Sequence, residues 1–371
     1  MLFSLPVIYN TLIYIILWCV CVLNVVYDEI HKLHLDPSGR HPENPRRVEE
    51  AFSVLKKSEV WSRIKVHGTF ESDFEKLKLI HSKSYISFIE EECGRGFHYI
   101  DSDTYVNEKT FYIASRFIST SYYASIKSLE SSEPWLIMPR PPGHHAGRNG
   151  CAMGAPTLGF CIFNNSAAAA QAMLDSGLRT LIIDFDAHHG NGTQDIFWNE
   201  PRVLHIDLHQ EGIYPGTGSV RDIGGIGAEG SKINIPLPAF TGDPEYLWLL
   251  DNVIKPLIEV FKPEGVVVSA GFDSHVGDPL TMLHVTEYTY SAIASTIMDL
   301  MNSGIVKSFV TILEGGYGEG LNMGLKAYVE SILGFRCFKY DLKLKPPRGV
   351  VVRELSNVLR DYWGLSISLT D

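Results

Sequence analysis

The chain of 371 residues predicts an α/β fold, a single domain on a mainly parallel sheet with helices covering both faces. Three observations carry that prediction. Short, nearly continuous apolar runs recur, as at Gly265–Ala270 and Ser308–Leu313, and such runs suit strands buried on both sides. Longer stretches with apolar residues at helical spacing separate them, as crossover helices require. Polar residues gather just after the strands, at Arg140 to His145, Asp184 to His189, Asp207 to His209, Asp273, and Glu314 to Tyr317. Open parallel sheets bind their ligands at those carboxyl ends.

Taken in order, the first strand is expected at Val22–Tyr27. It continues an apolar run with no charged side chain from Met1 to Tyr27, long enough to cross a bilayer as a helix. No Lys or Arg stands ahead of the run, as a secretory signal would have, and no polar linker separates it from the strand. Residues 1–21 are therefore set apart as an apolar extension from a domain at 22–371. A membrane anchor, a packed N-terminal element and residues from an over-extended start all fit. The last two together are preferred, which places the protein in the cytoplasm, with a membrane-anchored form as the alternative.

Asn44-Pro45 opens a helix to about Lys57, a capping side chain followed by proline at the first helical position. Helices follow at about Lys83–Glu92, closed by Gly94, and Glu108–Leu129. Pro134–Met138 reads as a short buried strand and Asn164–Asp175 as an Ala-rich helix ended by Gly177. Strands are expected at Thr180–Ile183, Val203–Leu208, Gly265–Ala270 and Ser308–Leu313. Helices at Pro244–Phe261, Glu287–Asn302 and Leu321–Leu333 supply the later crossovers. No linker rich in Pro, Gly or Ser divides the chain, hence one domain.

Composition narrows the function. The 45% hydrophobic and 20% charged content easily fills a large core. A net charge of −11 leaves no basic stripe and argues against direct binding of nucleic acid, while it suits a cationic substrate or partner. The six cysteines contain no CxxC pair, which points to a reducing compartment and away from a thiolate zinc site.

The most telling segment is Asp184-Phe-Asp-Ala-His-His-Gly-Asn-Gly. Two carboxylates and two imidazoles at a strand end cannot all be buried unpaired, and a metal ion resolves the conflict. Asp186 and His188, spaced i, i+2, point to one side of an extended backbone and can share a cation. Asp273, at another strand end, is the best third ligand. Two carboxylates and an imidazole favour zinc or another borderline divalent ion, with iron and cobalt as alternatives. His144 and His145, on a Gly-flanked turn, offer a base for a metal-bound water, and Asp184 and Asn191 can hold the two imidazoles from behind. Tyr317, in a Gly-rich loop, can hydrogen-bond a developing oxyanion. Phe160 and Tyr214 can wall a narrow channel.

With these residues assembled, the chain resembles the histone deacetylase and acetylpolyamine amidohydrolase family from about Val22 to Gly334. Six segments in order carry the resemblance: His41-Pro-Glu-Asn-Pro, Pro141-Pro-Gly-His-His, Gly159-Phe-Cys-Ile-Phe-Asn-Asn, the Asp184 segment, Ala270-Gly-Phe-Asp with Gly277-Asp-Pro, and Glu314-Gly-Gly-Tyr. It implies the arginase–deacetylase fold, with an eight-stranded sheet. It also implies one zinc ion per chain on Asp186, His188 and Asp273, with His145 as general base and then acid. His144 would be its electrostatic partner and Tyr317 would polarise the amide carbonyl. Asp103 would hold the substrate backbone, and Gly159, Phe160 and Tyr214 would line an acyl-lysine tunnel. Asp184, His188 and Asp207 lie where the family binds potassium. The activity implied is removal of acetyl groups from lysine side chains of proteins, with acetylpolyamines or other small N-acetyl amines as the alternative. No segment points to a particular oligomeric state.

The departures inform too. Asn191 stands where class I members have aspartate, and with Glu314 it implies the class II-like branch. Tyr317 replaces the histidine of weakly active class IIa members. Asp207 stands where many relatives have serine. Leu280 follows Gly277-Asp278-Pro279, where polyamine-selective relatives carry a gatekeeping glutamate, which argues against strict polyamine specificity.

Overall fold

A computed structural model describes residues 21–336, 341–349 and 351–367 of the chain. The expected apolar extension therefore lies, except for Cys21, outside the described residues. Eight strands form one sheet: β1 Leu23–Val26, β2 Ile64–His67, β3 Trp135–Ile137, β4 Thr180–Asp184, β5 Val203–Gln210, β6 Lys232–Leu237, β7 Gly265–Ala270 and β8 Ser308–Leu313. Their order is β6-β5-β4-β7-β8-β3-β1-β2, and every neighbouring pair is parallel.

The apolar runs explain themselves once the two faces are followed. Leu181 and Ile183 of β4 join one core cluster and Ile182 the other, and β7 divides likewise, with Val266 and Val268 opposite Val267. The first cluster packs beneath α1 Pro45–Lys57, the segment 243–261, α9 Glu287–Asn302 and α10 Glu319–Ile332. The second lies beneath α3 Lys83–Gly94, α4 Thr110–Ser131 and α5 Asn165–Asp175. A strand between two helix layers has no solvent face, so alternation disappears from its sequence. Replacing a fully buried residue such as Leu181 with alanine costs about 2–5 kcal/mol.

Local signals set the helix ends. Asn44 caps α1, its side chain accepting from Arg46 N–H, with Pro45 in the first turn. Asn164 caps α5 through Ala167 N–H. α3 runs through Gly94 rather than stopping there, and Gly96 takes the left-handed turn at φ +87°.

Two expectations need correction. The helix expected over 244–261 is α7 Asp243–Leu249 and α8 Lys255–Phe261, joined by a π-helical turn at Leu250–Ile254. Pro256 follows that turn, and a proline ring collides with the carbonyl four residues back unless the helix widens there. The residue pattern also predicted six strands and missed both edges, β2 and β6. Edge strands carry no continuous apolar run: Val66 of β2 is exposed, and β6 contains Pro236, which edges tolerate.

From β4 the chain builds outward through β5 to β6. It then returns to lay β7 on the other side of β4 and continues through β8. The connections diverge between β4 and β7, and the crevice outside their carboxyl ends is the natural ligand position of such a sheet. Among the described residues no helix is long and apolar enough to cross a membrane.

Candidate active site

Just past β4 the backbone folds on its own carboxylates. Asp186 N–H donates to Asp184 Oδ1 (3.1 Å), His188 N–H to Asp186 Oδ1 (2.9 Å), and Ala187 N–H to Asp273 Oδ1 (2.7 Å). Gly315 N–H, past β8, donates to Asp186 Oδ2 (2.7 Å). These bonds aim three side chains at one point: donor atoms of Asp186, His188 and Asp273 all lie within 4.8 Å of one another. His188 Nδ1 stands 2.8 Å from Asp273 Oδ2 and 3.1 Å from Asp186 Oδ1. Glycine keeps the place open, since a Cβ on Gly271 would come 2.0 Å from Asp186 Oδ2. One on Gly315 would come 2.6 Å from both Asp186 Oδ2 and Asp273 Oδ2.

The electrostatics of this trio fit a divalent cation. Burial, reinforced by the Asp186 carboxylate, pushes Asp273 up to about 7. Burial opposes charge on His188, yet its bonds to Asp186 and Asp273 outweigh it and raise the imidazole to about 10. Protons thus supply the positive charge that the two buried carboxylates demand, and a metal ion binding there would displace them. Two carboxylates and an imidazole with room for a further ligand match zinc or a similar borderline ion.

The adjacent imidazoles, their ring centroids 4.0 Å apart, are driven to opposite states. Asn191 Nδ2 donates to Ala152 O (2.9 Å), which turns Asn191 Oδ1 toward His145 Nδ1 at 2.8 Å. An amide oxygen only accepts, so His145 carries its proton on Nδ1 and keeps the Nε2 lone pair. Burial, then the charges of His144 and His188, holds the His145 pKa well below its usual value. Burial also opposes charge on His144, but Asp186 and Asp184 outweigh it and hold that imidazole well above its usual value. Its Nδ1 lies 3.1 Å from Asp184 Oδ2. A neutral base therefore sits beside a fixed cation.

A cavity of about 190 Å³ leads to this group. Asp103, Gly159, Phe160, Tyr214 and Tyr317 line it together with His144, His145, Asp186 and His188. Gly159 (φ +55°) is obligatory, because a Cβ there would come 2.6 Å from the Tyr214 ring and 2.7 Å from His145. The Tyr214 hydroxyl donates to Thr157 O (2.9 Å). Thr157 and Thr104 hydroxyls in turn hold the Asp103 carboxylate at 2.7 and 2.9 Å. Burial, then the charge of Asp186 against the opposing Arg47, keeps the Tyr317 phenol protonated and able to donate.

Every expected site residue is thus in this pocket or directly behind it. Asp184 and Asp207 come together with His205, while the His188 ring belongs to the other trio.

Several supporting residues were not foreseen. Arg47 donates to Gly316 O (2.9 Å) and to Glu314 O, and its guanidinium lies 5.0 Å over the Tyr317 ring. Asp278 Oδ2 accepts from Tyr317 N–H (2.8 Å). Glu43 pairs with Arg140 in the buried base of the first loop. A signal for Arg47 existed: two arginines and no acid occupy the first turn of α1, against the helix dipole.

Comparison with known proteins agrees with this geometry. Residues 41–332 match the sequence model described as the histone deacetylase domain. An uncharacterized protein of Methanocaldococcus jannaschii is 40% identical over 294 residues, covering 79% of this chain and 83% of its own. A probable deacetylase of Archaeoglobus fulgidus is 35% identical, with 80% and 81% covered. The chloroplastic histone deacetylase 14 of Arabidopsis thaliana is 35% identical, with 79% and 73% covered. Among solved structures, the HD domain of HDA15 superposes with a TM-score of 0.82 at 30% identity, covering 93% of this chain and 96% of that one.

Proposed function

The chain belongs to the histone deacetylase family, and from that premise we propose a zinc-dependent amidohydrolase that removes acetyl groups from lysine side chains of proteins. One observation carries the reading: the neutral His145 lines the same small cavity as Asp186 and His188, whose donor atoms converge with those of Asp273 behind it.

Asp186, His188 and Asp273 would hold zinc, which when bound acidifies water and polarises a carbonyl. Phe160 and Tyr214 admit an extended alkyl chain and exclude bulk water from it. Asp103, fixed by two threonine hydroxyls, is positioned to accept N–H groups of the substrate backbone at the mouth. His145 Nε2 takes a proton from the attacking water, and the same imidazole returns it to the departing amine. His144 stays charged and favours negative charge developing nearby. The Tyr317 phenol donates to the acyl oxygen as it becomes an oxyanion.

Small acetylated polyamines are the second reading, since they need the same chemistry. Against it stands Leu280, a half-exposed apolar side chain at the cavity lining where a carboxylate would be required to receive a distant ammonium. We assign residues 22–371 to the catalytic domain and place it in the cytoplasm, in keeping with the free cysteines at 21, 93, 151 and 161. Comparing kcat/KM on acetyl-lysine peptides and on acetylspermidine tests the choice. A higher value on peptides is expected; a preference for the polyamine overturns the lysine reading.

A further inference from the structure

We propose that Leu280, Met282 and Phe240 form a docking strip at the mouth of the cavity, built for an apolar side chain next to the acetylated lysine. The inference rests on the lysine reading above and names the protein substrates that the site prefers. Exposure alternates along this segment: Leu280, Met282 and His284 are exposed, while Leu283 and Val285 between and after them are buried. Three outward side chains two residues apart share one face of the chain. Leu280 already lines the cavity. At the other end the Phe240 ring lies 5.2 Å from the His284 ring and extends the strip.

Phe240 is the independent sign. It is 66% exposed and belongs to neither core cluster, yet it holds φ at +67°, a left-handed backbone that aromatic residues seldom adopt. Strain of that kind persists only where surrounding bonds enforce it, and it gathers at binding sites. The enforcing bonds are present here. Phe240 N–H donates to Met282 O (2.7 Å), and His284 N–H donates to Thr241 O (2.8 Å). The Thr241 hydroxyl donates to Pro238 O (2.6 Å). A ring is thus kept in solvent against the preference of its own backbone.

The strip is also tied to the reacting centre. Met282 N–H donates to Oε1 of the buried Gln210 (2.7 Å), the last residue of β5. Gln210 N–H in turn donates to Ala187 O (2.8 Å), between Asp186 and His188. Leu280 N–H donates to Asp278 Oδ1 (2.8 Å), and the Thr281 hydroxyl donates to Asp273 O. A side chain seated on the strip is therefore in fixed register with the tunnel, and little order has to be gained on binding. Its chemistry follows from what is absent. No Lys, Arg, Asp or Glu occurs at 233–242 or 279–286, in a chain that is 20% charged. A charged neighbour would lose hydration there without gaining a partner. An aliphatic or aromatic one buries its surface against methionine and phenylalanine.

The test compares kcat/KM on acetyl-lysine peptides of one length, flanked at the lysine by glycine, phenylalanine or lysine, for the wild type, Phe240→Gly and Met282→Ser. The wild type should favour the phenylalanine peptide over the glycine peptide by ~10-fold, through a lower KM, and show no preference for lysine flanks. Both variants should bring that ratio toward unity. Phe240→Gly should melt no lower than the wild type, since glycine takes this φ without strain. Should it fail to fold, Met282→Ser decides, because it keeps every backbone bond. Equal values on all peptides in the wild type, a preference for lysine flanks, or a ratio unchanged in the variants overturns the strip alone. A wild-type dimer that Phe240→Gly dissociates in sedimentation assigns the patch to a second copy and overturns it too. Turnover of acetylspermidine with none of any peptide overturns the lysine reading, and the strip with it.

Discussion

Tyr317 and Asn191 show how single atoms set this pocket. The Tyr317 backbone is tied to Asp278, and Arg47 grips the carbonyls of Glu314 and Gly316 on either side of the loop. Its phenol is therefore presented ready to donate. Tyr317→Phe removes one oxyanion donor and should lower kcat by ~10²-fold or more with KM little changed, as steady-state kinetics would show. Asn191 gives His145 a neutral acceptor at 2.8 Å. Asn191→Asp replaces it with a carboxylate, which favours imidazolium and raises the His145 pKa. The base works only when neutral, so activity exists above that pKa and is lost below it. The acid limb of the kcat/KM profile should move to higher pH; an unmoved limb would remove His145 from the role of base.

At the scale of elements, the strand ends do the positioning and their glycines permit it. Gly315 follows β8 and needs no left-handed backbone, so alanine there acts through its methyl group alone, against Asp186 and Asp273. Gly315→Ala should keep its circular dichroism while losing tight divalent binding and turnover, measured by calorimetric titration. What the sequence disclosed follows the same division. Interior strands such as β7 were legible because burial on both faces leaves a continuous apolar run, and Asp186, His188 and Asp273 because they sit two to four residues beyond the ends of β4 and β7. The edges β2 and β6 were hidden, their residues being half solvated or interrupted by proline. The π-helical turn at Leu250–Ile254 depends on where one proline falls within an otherwise regular helical pattern. Arg47 was not read as functional, since its meaning lies in contacts with remote segments; it meets Glu314 across 267 residues.

Over the whole molecule, a buried ion pair ties the first loop to the centre of the sheet. Arg140, past β3, donates to Glu43 Oε2 at 2.7 Å and to His31 O at 2.8 Å. Burial alone would raise the Glu43 pKa, but Arg140 outweighs it and holds the carboxyl at about 2, below its ordinary 4.5. A carboxyl lowered on folding stabilises the native state above its unfolded pKa. That stability, ~3 kcal/mol at 1.36 kcal/mol per pKa unit, is lost as pH falls from about 4.5 to about 2. Glu43→Gln should lose ~3–5 kcal/mol in urea unfolding at pH 7, because it strands a buried guanidinium, and should show a flatter acid dependence across that window.

The pair, the strand ends and the glycines all serve the convergence of Asp186, His188 and Asp273. Acetate release from an acetyl-lysine peptide by the chelator-stripped chain, before and after zinc is restored, tests that convergence most directly, with Asp273→Asn beside the wild type. Expected are no turnover when stripped, recovery on zinc for the wild type and none for the variant. Acetate released at full rate by the stripped chain would contradict a metal-dependent hydrolase.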